Sequence, residues 1–456
     1  MVNYKKEQRA RSKDYYINRM KLNKGILYLI VGLLLAGNSQ AQERLSLEQA
    51  VQLALQNNYD IKLNKNDVDI AKNNVSRANA GMLPIVTGNF STNNTVSNTK
   101  QTLSSGQIQE RSGARNSNLA YGPVLNWQVF DGFEMFARYD QLKELHLLGE
   151  ENFKLTIQTT LADVINNYYD LVQQQQQIKA LSGALDISRL RLRNSQSRYT
   201  IGKAAKLEVL AASVDLNTDT TNLLRQIDVY RSTKIRLNEL LAREISTDFT
   251  VSDTIIIQNN LHLTELQNSA SRQNPALQSA IINRRLAELN LKQVKANRYP
   301  NITLNSGYNF SKSTSELGFA RNSSGRGLNY GLTASVNIFN GFLQKRNEKN
   351  ASIEIDNSKL QFDKINQNIS AQLASLYQTF QTNLELVRLE KQNLEVAKQN
   401  LDITLEKFRI GSVAPLEFRE AQRNYVDASA RYTNSQFEAK LAEVALMQLA
   451  GSLSLK

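Results

Sequence analysis

The sequence predicts a mixed α/β protein in which one unit of helices and membrane-type strands occurs twice in a single chain. Three observations predict it. The two halves align with each other, each half holds a long proline-free helical stretch, and the segments between helical regions alternate with a period of two.

The repeat emerges when the chain is aligned with itself. Leu45, Ser46 and Leu47 with Gln56, Asn57 and Asn58 correspond to Leu261, His262 and Leu263 with Arg272, Gln273 and Asn274, and Pro84 corresponds to Pro300, all at an offset of 216. Phe130, Asp131, Gly132 and Phe133 match Phe339, Asn340, Gly341 and Phe342. Tyr199, Thr200, Ile201 and Gly202 with Leu207 and Glu208 match Phe408, Arg409, Ile410 and Gly411 with Leu416 and Glu417, now at an offset of 209. The length difference falls between Pro84 and Phe130 in one copy and Pro300 and Phe339 in the other, where variable length marks a surface loop. The Ser-, Asn-, Thr- and Gly-rich stretches 97–115 and 313–327 are expected to be these loops.

Between Gly132 and Gly202, and again between Gly341 and Gly411, no proline occurs, so each stretch can form one helix of roughly 100 Å. In the second copy Ile369, Leu373, Leu376, Phe380, Leu384 and Val387, then Leu394, Leu401, Leu405 and Phe408, form the stripe of a long packed helix. Asp131 and Asn340 are the expected N-caps. Shorter helices are expected at 46–82 and 203–243 and at 262–298 and 412–449, with Pro84, Pro300 and Pro415 near their ends. Pro275 predicts a break inside one of them.

Around the loops the period becomes two. Ile302, Leu304, Tyr308 and Phe310 alternate with Thr303, Asn305 and Asn309; Tyr330, Leu332, Ala334, Val336 and Ile338 alternate with small or polar residues; Leu119, Tyr121, Leu125, Trp127 and Val129 do likewise, interrupted by Pro123. Runs of about ten such residues suit membrane barrel strands. Four strands cannot close a barrel that needs about eight or more, so several chains must contribute, and three would supply twelve.

Composition narrows the function. The 456 residues, 41% hydrophobic and 21% charged, describe a folded protein. The absence of cysteine excludes disulfides, zinc-thiolate sites and thiol nucleophiles. His146 and His262 stand alone, without the companions a metal site requires. Of the net charge of +13, +6 lies in residues 1–41, and no aromatic-interleaved basic patch argues for nucleic acid. Met20 to Lys24 is a basic n-region, Gly25 to Gly37 an apolar stretch, and Ser39, Gln40 and Ala41 a cleavage site, so residues 1–41 read as an export signal with Gln42 as the mature start. Residues 1–19 are a misassigned start or an extended n-region. The apolar stretch falls short of the about 20 residues of a membrane span, and no other segment is apolar enough, so membrane insertion would have to be by a barrel. No nucleoside-phosphate loop, nucleophile elbow or metal spacing occurs, and Gly325, Gly327 and Gly331 fail the dinucleotide spacing; neither an enzyme nor a cofactor is expected.

The duplicated order of these motifs resembles the TolC family of outer-membrane factors over roughly residues 42–452. The likeness rests on Leu45 to Ala50, the turns at Pro84 and Pro300, those at Phe130 and Phe339, and the Ile-Gly turns at Gly202 and Gly411. It implies a homotrimer with a twelve-stranded membrane β-barrel in outer-membrane lipid, continued by a long α-helical barrel as a periplasmic tunnel. The implied divisions are a first repeat at 42–243, an equatorial linker at 244–261, a second repeat at 262–449 and a tail at 450–456. The implied role is an exit duct for an inner-membrane pump and its periplasmic adaptor, a membrane fusion protein. By the same likeness the adaptor docks at the tips around Tyr199, Ile201, Gly202 and Leu207 and around Phe408, Ile410, Gly411 and Leu416. Glu417 and Glu420, with Glu208, would line the pore constriction. The competing reading is a periplasmic coiled-coil scaffold or adaptor that never enters a membrane.

Overall fold

The computed structural model describes residues 43–316 and 320–453; the expected export signal lies outside them. In chain order the first unit contains β1 (Glu43–Arg44), α1 (Leu47–Asn57), α2 (Tyr59–Asn74), β2 (Ile85–Thr102), β3 (Ile108–Asp131), α3 (Glu134–Thr200) and α4 (Lys206–Leu240). After β4 (Phe249–Thr250) the pattern recurs as α5 (Leu263–Gln273), α6 (Pro275–Ala296), β5 (Asn301–Ser315), β6 (Asn322–Ser335), α7 (Leu343–Arg409) and α8 (Pro415–Leu449).

Helix α1 opens with a reciprocal cap. The Ser46 hydroxyl accepts from the Gln49 amide at 3.2 Å, and the Gln49 side chain accepts from the Ser46 amide at 2.9 Å. A break was expected in only one copy, at Pro275, but both copies break. An asparagine caps the helix after each break, and in the second copy Pro275, at the first position of α6, adds to it as expected. Buried Asn58 accepts from the amides of Asp60 and Ile61 and donates to the Leu240 carbonyl; buried Asn274 accepts from Ala276 and Leu277 and donates to Leu449. Each asparagine thus caps one helix and ties the bend to the far end of its own unit.

Helices α3 and α7 are 67 residues each, about 100 Å long. They begin three residues after the expected caps, at Glu134 and Leu343, because Gly132 and Phe133, like Gly341 and Phe342, form a left-handed reversal with φ between 64° and 72°. Asp131 still accepts from the Met135 amide at 2.8 Å and Asn340 from the Gln344 amide at 3.3 Å, each reaching across the reversal. The Gly132 turn is pressed against α6, where an added Cβ would lie 2.3 Å from the Ala296 carbonyl oxygen; one at Gly341 would meet nothing. Gly132→Ala is therefore expected to abolish recovery of folded protein from membranes. Within one chain Gly341→Ala meets only the left-handed backbone cost of about 1–2 kcal/mol. Parent-like recovery of Gly132→Ala would refute the assignment.

The strands form one antiparallel sheet ordered β2-β3-β5-β6, with β2 and β6 as open edges. They are longer than the ten residues expected, reaching 24 in β3. Most of 97–115 is paired strand, with a short turn at 103–107, and Ser324 pairs with Lys312 inside β6. Polar side chains hid this, because the ladder needs only backbone groups. Pro123, lacking an N–H, sits at a gap where pairing jumps from Tyr121 with Phe310 to Val124 with Gly307. Strand β6 ends at Ser335, before Val336 and Ile338.

The core lies about midway along the long helices. Parallel pairing of β1 with β4 places fully buried Phe249 among Leu45, Val51, Leu171, Leu237 and Leu241. The second unit builds its cluster from Leu266, Leu277, Ile369, Leu373, Phe380 and Leu446, which includes much of the expected stripe. The Tyr168 hydroxyl joins the two short strands, donating to the Leu45 carbonyl at 3.0 Å and accepting from the Ser252 amide at 3.2 Å. Among the described residues helix α3 packs on α1, α2 and α4 of its own unit and on α6 and α8 of the other, whereas the main packing of α7 is on α5, α6 and α8 of its own unit. The outward faces of α4 and α7 leave Leu210, Val214, Leu224, Leu389, Val396 and Ile403 exposed.

Near this core, burial raises the Asp170 pKa, opposed by a hydrogen bond from Gln174 and by Arg236. A carboxyl raised in the fold stabilises it most when protonated, and that contribution fades as pH climbs through the folded pKa. Asp170→Asn keeps an acceptor for Gln174 and removes the charge. It is expected to raise the thermal midpoint at neutral pH and leave it unchanged in acid, measured by circular dichroism; the reverse pH pattern would refute the assignment.

Candidate gate and docking surface at the helical tips

Each long helix ends in the same reversal. Gly202 (φ 74°) donates to the Tyr199 carbonyl and Lys203 to Arg198, and in the second unit Gly411 (φ 78°) donates to Phe408 and Ser412 to Lys407. Glycine is needed for the positive φ alone, since a Cβ at either position would meet no atom of the chain. The returning helices start one turn later, α8 with Pro415 at its first position.

The expected docking residues divide. Ile201, Leu207, Ile410 and Leu416 are 64–80% exposed, and Tyr199 is about half exposed, so the two turns carry an apolar crown. Phe408 is instead buried, its ring stacked on Phe418 at 4.7 Å beside Ile187, Leu405 and Tyr425. It anchors the tip and offers little outer surface. A wide stripe position followed by a glycine turn does not reveal in sequence which aromatic points inward.

The three expected constriction residues also divide. Glu417 and Glu420 are exposed and line one groove of about 420 Å³ between α7 and α8, with Asn400 and Thr404. Glu208 does not join them. It is half-buried in another groove, accepting from Ser195 at 3.3 Å and Arg198 at 3.4 Å. A carboxylate held by an arginine of its own unit is a poor free pore charge.

That second groove, about 880 Å³ between α4 and α8 over α3, holds a set of residues that sequence reasoning missed. Arg419 of α8 grips Asp219 of α4 with two hydrogen bonds, 2.7 and 2.9 Å, and reaches Asp215 at 3.5 Å. Asp215 also pairs with Arg191 of α3. Ser188 donates to Asp219 at 2.5 Å, and fully buried Gln422 donates to the Ala184 carbonyl and to Ser188. Burial works against the Arg419 charge, but the Asp219 hydrogen bonds and the two carboxylates outweigh it and raise its pKa. Two guanidiniums and two carboxylates therefore neutralise one another where three helices meet. The available signal was the spacing of Asp215 and Asp219, four apart on the face of α4 that carries buried Ala212.

The model of the outer membrane efflux protein family matches residues 50–243 and 266–452. This chain belongs to the outer membrane efflux protein family. Both matched stretches of this family member correspond to the two structural units. Among similar proteins, the outer membrane protein TolC of Vibrio cholerae is 20% identical over 72% of this chain and 74% of its own length. The proteases secretion protein PrtF of Dickeya chrysanthemi is 19% identical over 94% of this chain and 93% of its own. The solved outer-membrane channel OprN superposes with a TM-score of 0.73 at 16% identity, covering 89% of this chain and 90% of that one. The efflux-family fold is thus that of an outer-membrane channel rather than an enzyme, and the protein is placed in the outer membrane. Among the described residues no helix is long and apolar enough to cross a membrane, and no acidic or histidine cluster could hold a metal.

Proposed function

We propose that three copies of this chain close into an outer-membrane exit duct, receiving cargo from an inner-membrane pump through a periplasmic adaptor and releasing it outside. The observation that carries this reading is a four-stranded sheet, open at both edges, joined to helices of about 100 Å. Within the chain, β3 pairs with β5 and α3 packs on α6 and α8. The counterparts of these contacts, made by the second unit, would join β6 to β2 and α7 to α2 and α4 of a neighbouring copy. Such joins cover the exposed apolar faces of α4 and α7 and leave no strand edge in lipid. The tips then lie at the periplasmic end, with Glu417 and Glu420 as pore-lining carboxylates and the apolar crown as the adaptor's landing.

Fractionation tests this reading. The mature protein is expected to begin at Gln42 and to partition with outer membranes as a detergent-stable trimer; recovery as a soluble monomer would instead support the periplasmic scaffold. A tag inserted at Ser105, in the β2–β3 turn, is expected to be labelled on intact cells. Labelling only after permeabilisation would invert the topology.

A further inference from the structure

Charge is unevenly spread along the four long strands. From Ile85 to Asn98, Asn116 to Phe130, Asn301 to Ser311 and Gly327 to Ser335 the sequence has no charged residue. The parts nearer the hairpin turns carry Lys100, Arg111, Arg115, Lys312, Arg321 and Arg326 against only Glu110 and Glu316. Both carboxylates are engaged. Glu110 pairs with Lys100 at 3.3 Å, and Glu316 accepts from the Arg115 amide at 3.1 Å. The hairpin end of the sheet is therefore left with an excess of cations.

The register puts two of these cations on the apolar face. Phe310 pairs with Tyr121 of β3 and with Arg326 of β6, and Lys312 pairs with Leu119 and Ser324. Paired residues share a face, so Lys312 and Arg326 are diagonal neighbours, about 7 Å apart at their Cα atoms. Both are exposed, and neither has an ion-pair partner among the described residues. Directly below them the Phe310 ring stacks on Tyr121 at 5.1 Å and meets Tyr308 edge-on at 5.0 Å. From Ile302 to Phe310 the apolar face covers about 26 Å of strand, or about 20 Å of depth at the usual barrel tilt. The two cations thus stand where hydrocarbon gives way to headgroups, the one level at which a lipid-facing cation costs little. Beyond them the same face continues with Thr314, Asn322 and Ser117, whose hydroxyl and carboxamide groups suit a sugar.

We propose that Lys312 and Arg326 hold the phosphate of a phosphorylated saccharolipid in the outer leaflet, with its acyl chains lying on Tyr308, Tyr121 and Leu328. The inference rests on the reading of the sheet as a barrel wall with its hairpin turns outward, and adds which lipid that wall selects. A guanidinium fork and an ammonium together match phosphate oxygens. A soluble acidic partner would use the cations but leave the aromatic rings in water, whereas a lipid supplies the anion and the apolar cover together. The helix-side half of the strands, without a cation, offers headgroups of the other leaflet no equivalent.

The test uses the full-length protein in detergent and titrates three probes, read by native mass spectrometry. The probes are bisphosphorylated lipid A, the same lipid with its phosphates removed, and phosphatidylglycerol. Lipid A is expected to bind the parent at least about tenfold more tightly than either of the others. Lys312→Gln with Arg326→Gln should abolish that advantage and, because both side chains are exposed without partners, keep the parent's circular dichroism and oligomer mobility. Lys100→Gln with Arg321→Gln removes the same charge elsewhere on the hairpin end and should leave the advantage intact. An outer-membrane trimer that binds dephosphorylated lipid A or phosphatidylglycerol as tightly as lipid A would overturn the site while leaving the barrel reading standing. An equal loss in the control pair would do the same. Recovery of the parent as a soluble monomer would overturn both.

Discussion

Arg419→Ala is expected to free α8 from α3 and α4 at the tip and to open the periplasmic end. The side chains of Arg419 and Asp219 are only 13% and 11% exposed, so removing the cation strands the Asp219 carboxylate in a water-poor groove, while Asp215 keeps Arg191. Breaking a buried pair in this way costs about 3–5 kcal/mol, enough to shift a local closed-to-open balance by about two to four orders of magnitude. In planar bilayers the variant should show larger or more frequent open levels, and limited trypsin should cut near Lys203 and Lys206 faster than in the parent. Arg419→Met combined with Asp219→Leu removes both charges at similar volume and should restore the closed tip. Unchanged conductance and cleavage in Arg419→Ala would show that the cluster merely fills space.

The second large effect is expected from Glu417→Gln with Glu420→Gln. Three copies would bring six carboxylates to one narrow ring, where they attract cations and exclude anions. The double variant keeps size and hydrogen bonding, so the trimer should persist while cation preference and block by divalent ions fall several-fold in single-channel recordings. Glu390 on the shaft would be a poor control, because Arg431 holds it at 3.1 Å. Glu395 of α7, exposed and without an ion-pair partner among the described residues, serves instead. Parent-like selectivity in the double variant would reduce the two glutamates to a solvated helix face.

How far the sequence reaches is clear from particular residues. The long helices, the four strands and the tip glycines were legible because each depends on local rules: a proline-free stripe, an alternation, a positive φ. Asn58 was not legible as a breakpoint, since an asparagine in a helical pattern says nothing until its amide finds the Leu240 carbonyl 182 residues away. The same holds for Arg419. It stands between Glu417 and Glu420 in sequence, yet it faces Asp219, 200 residues earlier, while the two glutamates face α7. Helical phase separated them, and partner identity came only from packing. Phe408 shows the converse limit, a stripe residue correctly assigned to the helix but misjudged as outer surface.

The open edges of the sheet also constrain how the protein is made. A newly exported chain presents β2 and β6 with unpaired backbone groups, which hydrocarbon does not tolerate. In the proposed trimer, insertion therefore cannot run ahead of association, because the strand edges are covered only when copies meet. Before that meeting the chain is a water-exposed intermediate whose lifetime grows as its concentration falls, and its free edges can template the wrong neighbour as readily as the right one. Biogenesis at low expression is thus a race between self-encounter and misassembly, and a periplasmic chaperone that masks strand edges would decide yield more than any residue in the helical core.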